Sequence, residues 1–514
     1  MFRLILCLIS VLVKSECAKI LGVFPSPSIS HQVVFRPLMI ELARRGHEVT
    51  VITTDRAFPK DQPLANLTEI DTHDISYQYV AGIREEFGNK NDEIDIISIM
   101  CDLLLNLVDI QLKSKEVQEY IHNNKKIDLL FVESYIRPTL IYSYIYDAPV
   151  IEFSSLSGFF TNFQNIGAAT HLFLYPEPMT RRINNLTLWE KIKRLYIHYS
   201  SSNIHDKYAD TESELFRKVF GPDVPNMNVL RNNIDMTFLN VHPIWDFNRP
   251  VPPNVVYLGG LHQKPQKELP KDLQSYLDSS KNGVIYISFG TNVRPFMFPS
   301  DKLKIIINVI SKLPYNVLWK WDDDELPGRP QNVKISKWFP QSDLLRHSKI
   351  KAFITQGGLQ STDEAITAGV PLIGIPMMGD QWFNSEQYVK FNIGKQILFE
   401  KLSEEQLMDA IKTVIEDESY RQNIVKLRDV MRDQPLQPLQ RAVWWTEYVL
   451  RHGGGTHLRA AGAGVSWTDY YELELIMSLL AAFVILLATI TLTIYIIYTN
   501  IKYNFFTHLK VKEN

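Results

Sequence analysis

Cysteine and excess charge are both scarce in this chain. Only three of its 514 residues are cysteines, too few for a disulfide scaffold or a zinc site built from thiolates. The 54 basic and 57 acidic residues give a net charge of −3, so no charge excess favours a nucleic acid as partner. With 45% hydrophobic and 22% charged residues, the composition excludes a largely disordered, collagen-like or coiled-coil chain. The length allows several globular domains.

The first 17 residues have the pattern of a secretory signal peptide. An apolar stretch, residues 4–13, follows Arg3 and precedes the small residues Ser15 and Cys17. This stretch is too short to cross a bilayer as an anchor, and a buried N-terminal strand is the alternative. Cleavage near Cys17 leaves Cys101 as the only or nearly the only thiol of the mature protein.

A long uncharged segment near the C terminus predicts a transmembrane helix. Residues 475–501 are 27 positions without a charge, about 40 Å of helix against a hydrocarbon core of about 30 Å. Acidic residues precede the segment, within the predicted juxtamembrane region 453–474, and lysines follow it. The positive-inside rule therefore places the tail, 502–514, in the cytosol and the large N-terminal part in a lumen.

Short address signals predict the compartment. Lys510 and Lys512 lie five and three positions from the end, a spacing that resembles the dilysine retrieval signal of endoplasmic reticulum membrane proteins. An ordinary basic flank is the alternative. Asn66 and Asn185 each begin an Asn-Leu-Thr acceptor sequence for N-glycosylation, as expected of a lumenal body. The sequence thus predicts a type I membrane protein of the endoplasmic reticulum.

The N-terminal half, residues 18–245, has the pattern of an α/β domain. Its predicted elements are a strand at 20–24, a loop rich in proline and serine at 25–30, an amphipathic helix at 32–45, Gly46 as its C-terminal stop, and strands at 48–53 and 127–132. Strand, helix and strand in this order form one βαβ unit of a parallel sheet. Residues 155–220 are expected to form an irregular apolar insert.

A proline-rich linker, predicted at 246–282, precedes a second α/β series at 283–452. Its predicted elements are strands at 284–289, 316–321, 352–355 and 371–375, with helices at 300–312 and 360–368. The fold class is therefore α/β, with two Rossmann-like domains that face each other across a cleft. Ligands are expected in that cleft, at the C-terminal ends of the strands.

A glycine pair marks a phosphate site in the second domain. Gly357 and Gly358 lie between a predicted strand and a helix, where bare backbone N–H groups meet the positive end of the helix dipole. No P-loop lysine and no G-x-G-x-x-G pattern accompany them, which disfavours ATP and dinucleotides. Glu364, farther along the helix, is suited to accept two ribose hydroxyls. Close packing of the strand and helix is the alternative reading of the glycines.

The segment from Trp338 to Gln387 resembles the signature of the UDP-glycosyltransferase family. A tryptophan, a Pro-Gln pair, the two glycines, Glu364 and an Asp-Gln pair follow one another in the family's order. The likeness extends over nearly the full chain and is strongest to insect membrane-bound and baculoviral members. It implies the GT-B fold and inverting transfer of a hexose, with glucose favoured, from a UDP-sugar to small lipophilic acceptors. Detoxification or hormone conjugation is the implied role.

The resemblance also implies a UDP-sugar site in the second domain. Its residues are Trp338 and Gln341 at the uracil, Gln356, Gly357, Gly358 and Gln360 at the diphosphate, Glu364 at the ribose, Asp380 and Gln381 at the sugar, and Ser288, Gly290 and Thr291 in a second phosphate loop. Lys320 occupies a position where the family often has an arginine near the nucleotide, and a solvated charge is its alternative reading. Gln356 replaces the family's usual histidine, so no cation forms there as charge builds on departing UDP.

The resemblance places the general base at His31, in the loop after the first strand, with Glu133 as its carboxylate partner. A carboxylate fixes the imidazole tautomer and raises its basicity. Neutral donors and a helix N terminus then stabilise UDP, so we expect neither a metal ion nor another cofactor. The acidic run Asp322–Asp324 is expected to be solvated.

Three questions stay open at this level. UDP-glucuronate is the alternative donor, although Asp380 and its uncharged neighbours offer no cation for its carboxylate; Arg294 is the one nearby cation. A non-catalytic lumenal binding protein on the same fold is the alternative function. The expected partners are the UDP-sugar, the acceptor and a membrane, with a homo-oligomer possible.

Overall fold

The computed structural model describes residues 17–512 apart from 89–92, 125, 292 and 294–297. The predicted signal peptide, except for Cys17, and Arg294 lie outside these residues. The chain divides into two compact units, with the boundary between Arg459 and Ala460. The first unit contains both predicted α/β domains.

The first sheet has seven parallel strands in the spatial order β3-β2-β1-β4-β5-β6-β7. In chain order they are β1 (Lys19–Phe24), β2 (Glu48–Thr53), β3 (Leu67–Asp71), β4 (Leu129–Glu133), β5 (Val150–Ser154), β6 (Ile234–Leu239) and β7 (Val255–Tyr257). Strand order reverses between β1 and β4, where Ile20 lies opposite Leu129. The C-terminal ends of these two strands therefore border the crevice in which doubly wound folds bind ligands.

The helices of this half surround the sheet. They are α1 (Ile29–Arg44), α2 (His73–Gly88), α3 (Glu93–Leu112), α4 (Lys115–Asn123), α5 (Ile141–Tyr146), α6 (Phe160–Asn165), α7 (Leu188–Phe220) and α8 (Met227–Leu230). Aromatic packing fixes α1 on the sheet: the Phe35 ring stacks on Phe24 of β1 at 4.1 Å between centroids and meets Phe153 of β5 at 5.0 Å. Truncating such a buried ring costs about 3–5 kcal/mol, so the start of α1 is held firmly over the sheet edge.

The second sheet has six parallel strands in the order β10-β9-β8-β11-β12-β13. They are β8 (Val284–Ser288), β9 (Asn316–Lys320), β10 (Val333–Ser336), β11 (Ile350–Thr355), β12 (Leu372–Gly374) and β13 (Gly394–Gln396). The remaining helices of the first unit are α9 (Lys271–Ser279), α10 (Ser300–Ser311), α11 (Gln341–Leu345), α12 (Leu359–Ala368), α13 (Gln381–Lys390), α14 (Glu404–Glu416), α15 (Glu418–Arg432) and α16 (Pro438–His452). Two parallel sheets flanked by helices confirm the predicted class of two Rossmann-like domains.

The long helix α7 differs from the irregular insert predicted at 155–220. It runs for 33 residues, and the four side chains that it buries, Ala209, Glu212, Ser213 and Phe216, form no long apolar face. Trp189 and Tyr199 are exposed. A local signal does mark its start: Thr187 and Glu190 form a capping box, and Gly221 ends the helix. Only the stretch before Thr187 is largely irregular.

The two halves exchange chain segments at their borders. Strand β7 belongs to the first sheet and α9 to the second half, although both fall within the predicted linker, 246–282. Helix α16, at the end of the predicted second domain, packs on the first half, where Ala442 and Val449 join the core beneath α1. Arg441 donates a hydrogen bond to the carbonyl of Tyr257 at 3.3 Å.

The second unit contains α17 (Trp467–Tyr470) and the 40-residue helix α18 (Leu473–Lys512). Within the described part of the chain, residues Leu473–Asn504 form the one helix that is long and apolar enough to cross a membrane, with a mean hydropathy of 2.7. This stretch includes the predicted span, 475–501. Its composition and length are those of a membrane anchor.

Candidate active site

A cavity of about 1800 Å³ lies between the two sheets and brings most of the predicted site residues together. Its lining includes His31 from the first half and, from the second, Ser288, Gly290, Thr291, Lys320, Trp338, Gln341, Gln356, Gly358, Gln360, Glu364, Asp380 and Gln381. Glu133 and Gly357 lie directly behind this lining, next to His31 and Gly358. The predicted base and the predicted donor residues therefore share one space.

His31 and Glu133 form a close pair at the edge of the first sheet. His31 lies in the first turn of α1, and Glu133 is the last residue of β4. His31 Nδ1 lies 2.9 Å from Glu133 Oε1, and the Ser26 N–H donates to Glu133 Oε2 at 3.2 Å. The carboxylate is fully buried, whereas a fifth of the histidine side chain is exposed. Because Nδ1 faces the carboxylate, Nε2 is the ring nitrogen that an acceptor hydroxyl can approach.

Tyr135 is a third member of this cluster that the sequence analysis missed. Its hydroxyl contacts both His31 Nδ1 and Glu133 Oε1, to which it donates, and lies 2.9 Å from Ser26 Oγ. Burial and the neighbouring Glu133 carboxylate hold the pKa of Tyr135 well above its usual value, so the hydroxyl keeps its proton. Its position two residues after a strand-ending glutamate was the available signal, since it keeps Tyr135 at the same sheet edge.

The glycine pair forms the turn between β11 and α12. Gly357 has a φ of +93°, and a Cβ there would lie 3.0 Å from the carbonyl oxygen of Gln381, so a side chain would be strained and crowded. Gly358 is the N-cap residue of α12 and supplies no side-chain cap. The Leu359 N–H at this helix N terminus is bonded to Asp380 Oδ2, so an anion in the cavity would bind at the neighbouring N–H groups.

Gln356 connects the two glycine loops. Its Oε1 accepts a hydrogen bond from Thr355 Oγ1 at 3.2 Å, which turns the amide NH₂ group toward Gly290. A Cβ on Gly290, where φ is +73°, would lie only 2.2 Å from Gln356 Nε2. The amide is therefore packed against the second phosphate loop, and the same NH₂ group lies close to Gly358.

Lys320 is hydrogen-bonded to the second phosphate loop, at Gly290. Its Nζ donates to the carbonyl of Gly290 at 3.0 Å and to Asp322 Oδ1 at 2.6 Å, and its side chain is 8% exposed. Lys320 is therefore not a solvated charge, and its position in the cavity lining keeps its role beside the nucleotide as a prediction. In the acidic run, Asp322 is held in this pair rather than solvated, whereas Asp323 and Asp324 are exposed as expected and Asp324 pairs with Lys337 at 2.7 Å.

The predicted uracil and ribose residues lie side by side. Gln341 Nε2 donates to Glu364 Oε2 at 2.7 Å, and the hydroxyl of Tyr286 donates to Gln341 Oε1 at 3.1 Å. Burial raises the pKa of Glu364, a shift that the hydrogen bond from Gln341 opposes. Trp338, by contrast, is 67% exposed at the cavity rim, which leaves a ring face open for stacking.

Asp380 and Gln381 start α13 at the other end of the donor region. Asp380 Oδ2 accepts from the Leu359 N–H at 3.2 Å and from Asn384 Nδ2 at 2.7 Å. Burial raises the pKa of Asp380, while these hydrogen bonds and the charge of His31 act in the opposite direction. Gln381 Oε1 accepts two backbone hydrogen bonds, from the N–H groups of Met377 and Met378. This leaves the amide NH₂ end to meet a sugar hydroxyl.

Gln360 bridges the two domains. Its Nε2 donates to the carbonyl of Ser155 at 3.0 Å, rather than pointing only into the predicted diphosphate region. Trp245 Nε1 adds a second link, donating to Asn384 Oδ1 at 2.9 Å.

Elsewhere on the first half, the predicted glycosylation residues Asn66 and Asn185 are both exposed. Among the described residues, no three His, Cys, Asp or Glu side chains form a group that could hold a metal ion.

Two facing Rossmann-like domains with a shared cleft define the class: a glycosyltransferase of the GT-B fold. The family model "UDP-glucoronosyl and UDP-glucosyl transferase" matches residues 18–513. The chain therefore belongs to the UDP-glycosyltransferase family and is an enzyme of that kind.

Relatives and solved structures agree with this assignment. The chain is 36% identical over 496 residues to the ecdysteroid UDP-glucosyltransferase of Spodoptera littoralis nuclear polyhedrosis virus, covering 91% of this chain and 95% of that protein. It is 32% identical to UDP-glucosyltransferase 2 of Dactylopius coccus, over 94% of each chain. Among solved structures, the calicheamicin glycosyltransferase CalG4 (TM-score 0.58) and a UDP-glucose: anthocyanidin 3-O-glucosyltransferase in complex with UDP (TM-score 0.55) are each 16% identical and cover 85% of this chain and 99% of their own. At that identity the structures show the fold alone.

Proposed function

We propose that this enzyme transfers glucose from UDP-glucose to a hydroxyl group of small lipophilic acceptors, with inversion at the anomeric carbon. The observation that carries the proposal is that the His31–Glu133 pair and the glycine turn before α12 line or adjoin one cavity. The general base and the site of the leaving UDP thus lie on opposite walls of the cavity. The names of the viral and Dactylopius relatives support glucose as the sugar.

His31 acts as the general base in this proposal. With Nδ1–H donated to Glu133, Nε2 removes the proton of the acceptor hydroxyl while the acceptor oxygen forms its bond to the anomeric carbon. The bond from that carbon to the UDP oxygen breaks, and UDP leaves with the electron pair. The buried carboxylate stabilises the imidazolium that results. Attack from the first domain, opposite the bound UDP, turns an α-linked donor into a β-glycoside.

The second domain stabilises the leaving UDP with neutral groups. In this proposal the diphosphate binds beside the N terminus of α12 and the NH₂ group of Gln356, and Glu364 binds the ribose. Because these donors carry the developing charge, we expect activity without an added metal ion or cofactor. Full activity after treatment with EDTA is the expected result, and a loss restored by Mg²⁺ would contradict it.

The acceptor region favours apolar molecules. The wall of the cavity in the first half includes Ile97, Met100, Leu104, Leu107 and Phe160, which offer dispersion contacts and little hydrogen bonding. Lipophilic phenols and steroids fit this chemistry. Conjugation of foreign compounds or hormones is the role we propose.

One observation favours the alternative donor, UDP-glucuronate. The Arg181 guanidinium stacks on the ring of Trp382, 4.5 Å from its centroid, directly beside Gln381 at the donor end of the cavity. The sequence analysis did not include this cation. A carboxylate at the sugar C6 has a partner here only if Arg181 reaches it, whereas the glucose hydroxymethyl group needs ordinary hydrogen bonds.

The deciding experiment offers both donors together. Washed microsomes that contain the full chain receive UDP-glucose, UDP-glucuronate and a panel of phenols and steroids, and the products are identified by mass and anomeric configuration. We expect β-glucosides. Products of α configuration would overturn the inverting mechanism. Absence of any transfer despite UDP binding would favour a lumenal binding protein.

We further propose that the body is lumenal in the endoplasmic reticulum and the tail cytosolic. Protease added to sealed microsomes should then remove only the tail, and endoglycosidase should shift the band by the glycans at Asn66 and Asn185. Replacing Lys510 and Lys512 by serine should let the protein leave the endoplasmic reticulum. Digestion of the body from outside would overturn this orientation.

A further inference from the structure

The first three turns of α7 expose a row of large apolar side chains. Leu188, Trp189, Ile192, Tyr196 and Tyr199 are between 47% and 75% exposed. Their spacing of three and four residues places them on one face of the helix, within an arc of about 120° at 100° per residue. We call this face the outer face of α7. Soluble surfaces rarely leave so many contiguous large apolar groups in water.

The opposite face of the same turns is mostly polar and lines the acceptor cavity. Glu190, Lys193, Arg194 and one apolar residue, Ile197, belong to the cavity lining. These side chains have partners there: Arg182 pairs with Glu190 at 2.8 Å, and Lys193 pairs with Glu93 at 3.0 Å. The usual polarity of a surface helix, apolar inward and polar outward, is therefore reversed.

We propose that the outer face of α7 binds the surface of the lipid bilayer in which the protein is anchored. Tryptophan and tyrosine are the residues enriched at the boundary between headgroups and acyl chains, and an amphipathic helix lies there with its apolar face about 5–10 Å deep. An exposed cation, Lys191, flanks the row on the helix. Aromatic residues beside a cation are typical of interfacial helices.

The length of the connecting chain supports a lipid surface as the occupant. The first unit ends at Arg459 and the apolar helix begins at Leu473. The intervening residues, 460–472, span at most about 45 Å when fully extended. A bilayer is therefore always near this unit. Because the inner face of α7 lines the cavity, binding of the outer face would hold one wall of the acceptor site at the membrane, where lipophilic acceptors concentrate.

Fluorescence quenching by lipids tests the proposal on the full-length protein. A single cysteine replaces Trp189, in a background with Cys7, Cys17 and Cys101 changed to alanine, and carries an environment-sensitive dye. The protein is placed in phosphatidylcholine nanodiscs with or without doxyl groups on the acyl chains. The dye should lose about half of its emission in the doxyl discs because it lies ~5–10 Å below the headgroups. A dye at Lys412, exposed on α14, gives the reference for random collisions.

The quenching measurement either supports or overturns the binding of the outer face to lipid. Quenching at position 189 well above that at Lys412 supports the proposal, and equal quenching overturns it. Energy transfer between differently labelled copies, without lipid quenching, would identify the outer face as a contact between two chains and also overturns it. If the Trp189→Cys protein fails to bind UDP, and so has not folded, the Tyr199→Cys protein gives the same readout. Activity is not the readout, so failure of the proposed reaction would leave this test intact.

Discussion

The two walls of the cavity are built in different ways. The donor wall comes from strand ends, loops and helices at the edge of one sheet, within 288–291 and 338–381. Its side chains bind one another, as Gln341 of α11 binds Glu364 of α12. The acceptor wall combines residues of α1, α3, α6 and α7, which lie far apart in the chain. Donor recognition thus depends on local backbone geometry, whereas acceptor recognition depends on how separate helices pack. For this reason UDP binding can be predicted from the sequence, whereas the choice of acceptor cannot.

The largest effect should separate the two walls by function. His31→Ala should lower transfer by about 10²–10⁴ because a general base is lost. UDP affinity should stay within about twofold, since His31 lies on the acceptor wall. Initial rates and UDP binding by calorimetry measure the two quantities. The control is His122→Ala, a change of an exposed histidine on α4, which should leave both unchanged. Comparable transfer by the His31→Ala enzyme would remove this residue from the mechanism.

A change in the donor wall should have the opposite effect and weaken UDP binding. Gly290→Ala places a Cβ where Gln356 Nε2 now lies, 2.2 Å away, at a φ of +73°. The Cβ would displace the Gln356 amide from the second phosphate loop, and overpacking of this kind costs about 1–3 kcal/mol, so we expect UDP affinity to fall about tenfold or more. Gly328→Ala is the matched control, because Gly328 has a φ of +72° and nothing within 4 Å of its Cβ position.

These two glycine variants must be compared at equal stability. Thermal unfolding should show a loss for both variants from the left-handed backbone, and a larger loss for Gly290→Ala because its Cβ also meets Gln356. Only Gly290→Ala should weaken UDP binding. Equal UDP affinity in the two variants would mean that the second phosphate loop does not contact the donor.

The same contrast explains what the sequence could reveal. Both sheets, their parallel class and the glycine turn were predictable, because apolar runs and strand–glycine–helix order are local patterns. The partner of Lys320 was not, since its contact with Gly290 joins β9 to another loop. Predicting the contacts of Tyr135 with His31 and Glu133 required knowing that β4 ends beside α1. The length of α7 was missed because its buried side chains lie in one short stretch, 209–216, and its exposed apolar row covers only the first turns.

The choice of sugar tests whether the acceptor half also contributes to the donor site. We expect at least about tenfold higher kcat/KM with UDP-glucose than with UDP-glucuronate, a gap of about 1.4 kcal/mol. Steady-state kinetics with a single phenol measure the ratio. A preference for glucuronate would contradict the prediction. In that event Arg181→Ala, but not Arg182→Ala, should abolish the preference, because only Arg181 stacks beside the sugar-binding pair.

The smallest effect should come from Tyr135→Phe. The hydroxyl donates to the buried Glu133 carboxylate and touches His31, so its loss removes one hydrogen bond to a charged group while the ring stays in place. A bond of this kind contributes about 1 kcal/mol or somewhat more, so kcat should fall about fivefold with the KM for UDP-glucose unchanged. With one donor fewer, the carboxylate holds the imidazolium more strongly, and activity should be lost at a higher pH on the acidic side. The pH–rate profile measures this. Tyr142→Phe, a buried tyrosine of the same half, should leave the profile unchanged. An unshifted profile for Tyr135→Phe would limit Tyr135 to packing.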